Sequence, residues 1–546
     1  MKRKAVAAVL TAVMVASMFT GCGSDNGSSS AKSASAASAA SAANDTVDED
    51  GKVNGIMYQE GLPLVDEGDY TFSIFCDDSS ESGEFIMLDE FKKQTNVDVD
   101  LKIYPYETAT ERLNLDLNSG DYADVIGGWT LSDNAILTYG VNQGVFIPLE
   151  DYFEKYCPNI SAILDLPGVR EKMTAPDGHI NTIPYVCTDT TVGYSPYINT
   201  KWLENVGMSM PTTTDEFEAV LKAFKEQDAN GNGDASDEIP FSTDPNNKHI
   251  EAMAGYFGLP MNKLGIAIQN EKVVYGGVSD TYREFLSWFH KLYAEGLVDV
   301  ELYTQDSSTW EGKGNQDLYG VSIAYGSNEF TGIPAAEERG DFDSMPVLNT
   351  DKDGIWLRDT EGFSVYRTQA VITNKAEHPE IICRWFDNAF ALENGIGCNR
   401  GPVGVIVNKE DDGYHAIDTT TLSEEDQEKY SWGNLWPQSL PKYLPVDFEF
   451  VEEHPMYDEK KATEEAYEAN LTKEIIPSYW IDLDKIDTFS DTNTAIKDFF
   501  EQQQAQFVCG ELDIDNDADW QAYVDGMYSL GLEDWVATQG IEEIAK

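Results

Sequence analysis

The chain has 546 residues, with 97 acidic against 37 basic side chains and a formal charge of −60 at pH 7. So acidic a surface repels nucleic acid and anionic polymers, which excludes a nucleic-acid partner. The apolar content, with 11 Trp and 27 Tyr, supplies cores for two or more domains, and the acidic residues are spread along the chain as solvating charge.

Lys2, Arg3 and Lys4 precede an apolar run, Ala5 to Thr20, that has signal-peptide length and is too short for a membrane span. Phe19-Thr20-Gly21-Cys22 then resembles the lipobox of bacterial lipoproteins, with Phe19 where leucine is usual. The resemblance implies that residues 1–21 are a signal peptide, that the Cys22 thiol is lipidated, and that the mature chain is held at the extracellular face of a membrane. Residues 23–43 are almost all Ser, Ala and Gly, which bury nothing and are expected to stay disordered. Residues 22–60 are thus expected to be a tether whose flexible ~30-residue part reaches on the order of 30 Å.

The folded part opens with a strand at Tyr70–Phe75, a helix over 84–94 with Phe85, Leu88 and Phe91 on one face, and a strand at Val97–Ile103. A helix over 107–117 and a short strand at Asp124–Ile126 complete a strand-helix alternation that predicts a parallel sheet. Ligands bind beyond the carboxyl ends of such strands, here Asp77 to Ser80, Tyr104 to Glu107, and Trp129. Asp177-Gly178 marks a turn before an extended run, Ile180–Tyr197. Thr213 and Glu216 form a capping box that starts a helix running to about Gln227. Helices are expected at 280–295 and 378–392, and strands at 320–325 and 363–372. There is no solenoid-type repeat.

Several segments in order resemble extracellular solute-binding proteins of family 1, the receptors of ABC importers for sugars and oligosaccharides. They include Leu117-Asn-Ser-Gly-Asp-Tyr-Ala-Asp-Val-Ile126, Gly144-Val-Phe-Ile-Pro-Leu149, Asp177-Gly-His-Ile-Asn-Thr-Ile-Pro184 and Lys201-Trp-Leu-Glu-Asn-Val-Gly207. Pro211-Thr-Thr-Thr-Asp-Glu-Phe217, Leu292-Tyr-Ala-Glu-Gly-Leu-Val-Asp299 and Asp519-Trp-Gln-Ala-Tyr523 continue the series. The resemblance implies an α/β, periplasmic-binding-protein-like fold with two α/β lobes and a ligand cleft between them. Lobe 1 is expected over 61–188 plus about 366–440, and lobe 2 over 189–365 plus about 441–546. It further implies a carbohydrate ligand, ABC-transporter permease subunits as partners, and no enzymatic activity.

Asp228-Ala-Asn-Gly-Asn-Gly-Asp-Ala-Ser-Asp-Glu-Ile-Pro240 is the sharpest local motif. Asp228, Asn230 and Asn232 alternate so that their oxygens point inward, and Gly233 sits where an EF-hand loop turns, yet position twelve is Ile239 instead of the bidentate Glu. The stretch resembles the shorter calcium loop of the larger family members, which implies a structural Ca2+ completed by the Asp234 carbonyl, Asp237 and Glu238, with Ser236 or Asp237 left open. The acidic run Asp513 to Asp519 reads instead as a solvated turn and helix cap.

Sugars present apolar CH faces and polar rims, so their sites combine aromatic platforms with Asp, Asn, Arg and Glu. Trp129 is the first choice, with Asp77 and Asp78 as candidates for hydroxyl binding. Tyr106, Tyr194, Trp310, Trp356 and Trp436 are further cleft candidates, whereas Trp202, Trp288 and Trp385 lie on helical faces and are assigned to the core. Arg400 reads as an internal salt-bridge partner more readily than as a ligand contact. Beyond Cys22, six widely spaced cysteines read as small buried hydrophobes without a disulfide framework. The rival functions are a lipid-anchored glycoside hydrolase, which needs only two placed carboxylates, and a receptor for another solute such as a peptide.

Overall fold

The structure, a computed structural model, describes residues 45–78, 84–245, 249–332, 341–445, 448, 450–451 and 455–545. The signal peptide, Cys22 and most of the expected tether lie outside them. Among the described residues no helix is long and apolar enough to cross a membrane.

In chain order the strands are β1 (Lys52–Val53), β2 (Met57–Tyr58), β3 (Tyr70–Asp77), β4 (Val97–Tyr104), β5 (Val125–Gly127), β6 (Ile183–Thr188) and β7 (Ser195–Asn199). There follow β8 (Ile239–Thr243), β9 (Ile266–Gln269), β10 (Lys272–Tyr275), β11 (Tyr319–Ala324), β12 (Phe342–Ser344) and β13 (Phe363–Ile372). A five-stranded sheet has the order β4-β3-β5-β13-β6, with β3 parallel to β4 and β5, and β13 antiparallel to both its neighbours. A four-stranded sheet has the order β12-β7-β11-β8, with β8 parallel to β11 and β7 antiparallel to it.

Each sheet organises its own core. Around the first, Phe72, Ile74, Phe91, Phe153, Ile183, Trp385, Trp436 and Leu440 close one cluster. Phe75, Leu113, Ile126 and Val371 pack on the sheet's opposite face. Around the second, Trp202, Phe217, Phe224, Phe241, Tyr282, Phe289, Trp356, Tyr467 and Trp520 form a separate cluster. The molecule is therefore a pair of α/β lobes, and the chain passes between them at 189–194 and 358–362 before the helix Pro455–Tyr467 joins the second core.

Local sequence explains the pieces. In the helix Thr214–Glu226, Phe217, Val220, Leu221 and Phe224 recur at helical spacing and are all buried. Its cap is a shifted capping box: Thr213 Oγ1 accepts from the Glu216 amide, but Glu216 Oε2 accepts from the amide of Thr212 instead of Thr213. Asn516 caps the helix Asp517–Ser529, so the acidic run before Trp520 is a turn and cap.

Two expectations are corrected, and a third is given its detail. The tether does not extend to residue 60: β1 and β2 form a hairpin whose Val53 and Met57 are fully buried in the first core, and Tyr156 Oη donates to Asp45 at 2.8 Å. The extended run Ile180–Tyr197, expected to be split between the lobes at 188 and 189, is two strands in two different sheets with the crossing between them. Among the cysteines, Cys509 is exposed, at the end of the helix Ile486–Cys509, and Cys187 is only partly buried.

Because Met57 anchors that hairpin, Met57→Ala should lower unfolding stability by about 2–4 kcal/mol, the usual cost of a truncated core side chain. Urea denaturation followed by tryptophan fluorescence checks this. An unchanged midpoint would mean that the hairpin is not part of the cooperative unit.

Candidate functional site

The two sheets turn their functional edges toward the crossings. On the first, β3 ends at Asp77 and β5 at Gly127, and β6 and β13 extend past them with Tyr185 directly opposite Tyr366. Trp129, 46% exposed, stands edge-on to Tyr366 at 5.2 Å and to Tyr185 at 6.4 Å, while the two tyrosines stack at 5.6 Å. The result is an aromatic corner with one indole open to solvent.

Asp77 fixes that indole in place. It is fully buried, and its carboxylate accepts from the Trp129 amide at 2.9 Å and the Thr130 amide at 2.6 Å. Burial raises its pKa, and these hydrogen bonds pull it back. Gly128 makes the approach possible: its φ is +133°, and a Cβ there would lie 2.2 Å from Asp77 Oδ1. Asp78 is buried as well and accepts from the Gln438 amide at 2.8 Å. Both Asp77 oxygens are therefore committed to the rim, away from the hydroxyl-binding role expected of them, and Asp78 holds rim backbone as well.

On the second sheet, β8 and β11 end, and β7 begins, at the edge carrying Tyr194, His249 and Tyr325. Tyr194 stacks on His249 at 4.1 Å and meets Tyr325 edge-on at 6.0 Å. His249 holds a left-handed backbone, φ +46°, and burial lowers its imidazole to about 4. A cavity of about 530 Å³ is lined from this side by Tyr194, His249 and Tyr325, and from the first lobe by Cys187 and Tyr366.

The crossings are clasped together behind that cavity. The Gly193 amide donates to Asp359 at 2.7 Å, the Thr191 amide to Glu464 at 2.7 Å, and Lys460 Nζ to the Gly193 carbonyl at 3.0 Å. Asp189 accepts from Tyr325 Oη at 3.2 Å and from Ser364 Oγ at 2.5 Å, which joins an edge of each sheet. Burial raises Asp359 to about 6 and lowers Lys460 to about 8.

Of the other expected site residues, two are core and one lines the cavity from a buried position. Trp310 is buried and donates to Ser322 Oγ at 3.2 Å. Trp356 is packed between Tyr256 and Tyr467 and, though buried, lines the cavity. Trp436 is fully buried against Phe91 and Trp385. Tyr106 is exposed at the start of the helix Tyr106–Ser119 and is not among the residues lining the cavity. Tyr185, Tyr366, His249 and Tyr325 are the contributors that the sequence did not single out.

The Asp228–Glu238 loop sits in the second lobe between a helix and β8, away from this cavity. Asp237 accepts from Asn230 Nδ2 at 3.3 Å and Asn232 Nδ2 at 2.7 Å, and the Gly233 amide donates to Asp228 at 3.0 Å. Ser236 bonds to Asp234 instead of turning inward, which favours Asp237 as the loop's ligand. Glu238 uses Oε1 to accept from the Ala229 amide at 2.9 Å, while its Oε2 is buried without a hydrogen-bond partner. Burial raises the Glu238 pKa. An orphaned buried carboxylate oxygen beside Asn and Asp oxygens suits a hard divalent cation. Among the described residues only Glu410, Asp412 and His415, on an exposed hairpin, bring three His, Cys or carboxylate ligand atoms within 4.8 Å of one another. The Asp228–Glu238 loop mixes carboxylates with Asn amides.

Two α/β lobes, joined by clasped crossings beside an aromatic cavity, are the architecture of a solute-binding protein. The chain belongs to the bacterial extracellular solute-binding protein family, whose model matches residues 78–395. It is 31% identical over 411 residues to the fructooligosaccharide ABC transporter substrate-binding protein FusA of Streptococcus pneumoniae, across 73% of this chain and 70% of that one. It is 28% identical to lipoprotein LipO of Bacillus subtilis, over 50% of this chain and 52% of that one. The solved structure of a FusA EF-hand mutant in complex with fructo-nystose superposes with a TM-score of 0.74 at 27% identity, covering 86% of this chain and 98% of that one.

His249 supplies a pH test of the second edge. An unfolded histidine titrates near 6.5, so between about 6.5 and 4 the unfolded chain binds a proton that the folded one does not, and stability falls as pH drops through that window. His249→Asn tolerates the left-handed backbone and removes the titration. Its Tm relative to wild type should therefore rise steadily from pH 7 to pH 4.5. A pH-independent difference would show that the imidazole is not held neutral.

Proposed function

We propose that the protein is a lipid-anchored extracellular receptor that captures an oligosaccharide between its lobes and delivers it to an ABC importer. The observation that carries this reading is a cavity lined by Tyr366 on one side and Tyr194, His249 and Tyr325 on the other, with Trp129 and Tyr185 packed against Tyr366 beside it. Aromatic faces on opposite lobes suit the two CH faces of a pyranose or furanose ring, and a ligand touching both lobes draws the hinge closed by its differential affinity for the two states. FusA, a fructooligosaccharide receptor by its name, makes fructo-oligosaccharides the first class to try. Cys22 is the proposed lipid site, supported by the lipobox and by the similarity to the lipoprotein LipO. The lobes are proposed to divide at the crossings, with permease subunits engaging the closed form.

Calorimetric titration with fructo-, malto- and xylo-oligosaccharides tests the reading. Micromolar or tighter binding of one series without product release is expected, and Trp129→Ala should weaken it about tenfold or more with the Tm unchanged. Catalytic turnover, or binding of peptides alone, would overturn it.

We also propose that Asp228, Asn230, Asn232, Asp237 and Glu238, with the Asp234 carbonyl, hold a structural Ca2+. The EF-hand named for the FusA structure supports this, as does the unpartnered Glu238 oxygen. Binding to the folded form alone adds stability by mass action, so millimolar Ca2+ over chelator should raise Tm by several degrees, about 2–4 kcal/mol at saturating metal. Glu238→Gln should abolish most of that difference, and a Tm indifferent to calcium would remove the proposal.

A further inference from the structure

The aromatic corner is not the only indole presented at the first sheet's edge. The segment 432–443 returns across that edge and is pinned at several points. Ser439 Oγ donates to the Asp77 carbonyl, and Gln369 Nε2 donates to the Ser439 carbonyl. The Gln438 amide donates to Asp78, and Leu440 fills the space over Gly127, where a Cβ would lie 2.3 Å from Leu440 Cδ2. The segment then bridges to β6 through Tyr443 and Val186.

At its start Trp432 is 58% exposed, the most solvent-open indole among the described residues. Its backbone is held, because Gln438 Nε2 donates to the Trp432 carbonyl at 2.9 Å and to the Trp436 carbonyl at 2.9 Å. Its ring is backed by Lys442, whose buried Nζ lies 5.6 Å from the ring centroid and donates to Gln438 Oε1 at 2.6 Å. Gln438 in turn is held by Asp78 through its own amide, so hydrogen bonds run from the Trp432 carbonyl and Lys442 to the end of β3, beside the aromatic corner. An exposed Trp on a mobile loop would be unremarkable, since single exposed apolar side chains are common. This one has a pinned backbone and a cation beside its ring, and its segment is anchored to Asp77, which also holds the Trp129 amide, and to the neighbouring Asp78.

We infer that Trp432 is a second carbohydrate platform, an outer subsite that stacks a sugar unit of the ligand beyond the one held at Trp129. The inference rests on the oligosaccharide reading and deepens it: the ligand is a chain long enough to span both indoles, and affinity grows with its length. A pre-ordered indole suits such a role because little side-chain freedom is lost when a ring stacks on it.

The test is a length series. Trp432→Ala, Trp432→Phe and wild type are titrated calorimetrically with di- to penta-saccharides of the fructo-, malto- and xylo- series. In the series that wild type binds, affinity should rise with length. Trp432→Ala should lose about 5- to 10-fold for the tetra- and penta-saccharide but less than about twofold for the shortest ligand bound, with Trp432→Phe recovering most of the loss. Equal affinity of the alanine variant and wild type at every length would overturn the subsite while leaving the receptor reading intact, as would a loss independent of length. Failure of wild type to bind any of the three series would remove the oligosaccharide reading and the subsite together. Circular dichroism and Tm of the alanine variant should match wild type, since the ring is exposed.

Discussion

The Asp77 carboxyl group is the point on which the binding edge is hung. It is buried at the end of β3 and would be costly there unpaired, but two backbone amides of the β5 turn satisfy it, and its own carbonyl receives Ser439. One residue thus ties together three stretches of chain that are far apart in sequence: β3, the turn bearing Trp129, and the returning segment. The acid is kept by geometry more than by charge. Two convergent N–H donors require an acceptor with two oxygens, and Gly128 must lack a side chain for them to converge.

The crossings pose a different problem, because they must hold the two lobes together. They do so with hydrogen bonds from backbone amides to carboxylates, each worth about 1 kcal/mol net. Glu464 and Lys460, from the helix that joins last, reach back to Thr191 and Gly193, so a third stretch of chain braces the first two. In a chain with 97 acidic residues, burying Lys460 among Glu329, Glu459, Asp189 and Asp359 keeps those carboxylates tolerable at the centre of the molecule.

Much of the fold was legible because its signals are local. The strand-helix alternation from Tyr70 to Ile126, the cap at Thr213 and the apolar spacing of the following helix depend on near neighbours in sequence. The exposed position of Trp129 was legible for the same reason, since it directly follows a strand at a sheet's carboxyl edge. Trp310 and Trp436 were not, because proximity to a strand end does not say which side of the backbone faces solvent, and both turned inward. Tyr185 and Tyr366 carry no local mark at all: they become a pair only through the antiparallel register of β6 with β13 across some 180 residues. The β1–β2 hairpin escaped notice because two-residue strands leave no periodicity to read.

The position of the Asp228–Glu238 loop separates two properties that are easily conflated. Glu238 immediately precedes Ile239, whose amide donates to the Leu318 carbonyl and which opens the parallel pairing of β8 with β11. The loop therefore governs how β8 enters its sheet, whereas Asp244 and His249 lie past the strand's other end, on the side of the cavity. A cation at the loop would act on the register and stability of the second lobe, with the length of β8 between it and any ligand. Affinity for solute and affinity for metal should accordingly be set by different ends of the same strand, coupled only as far as β8 moves as a rigid body.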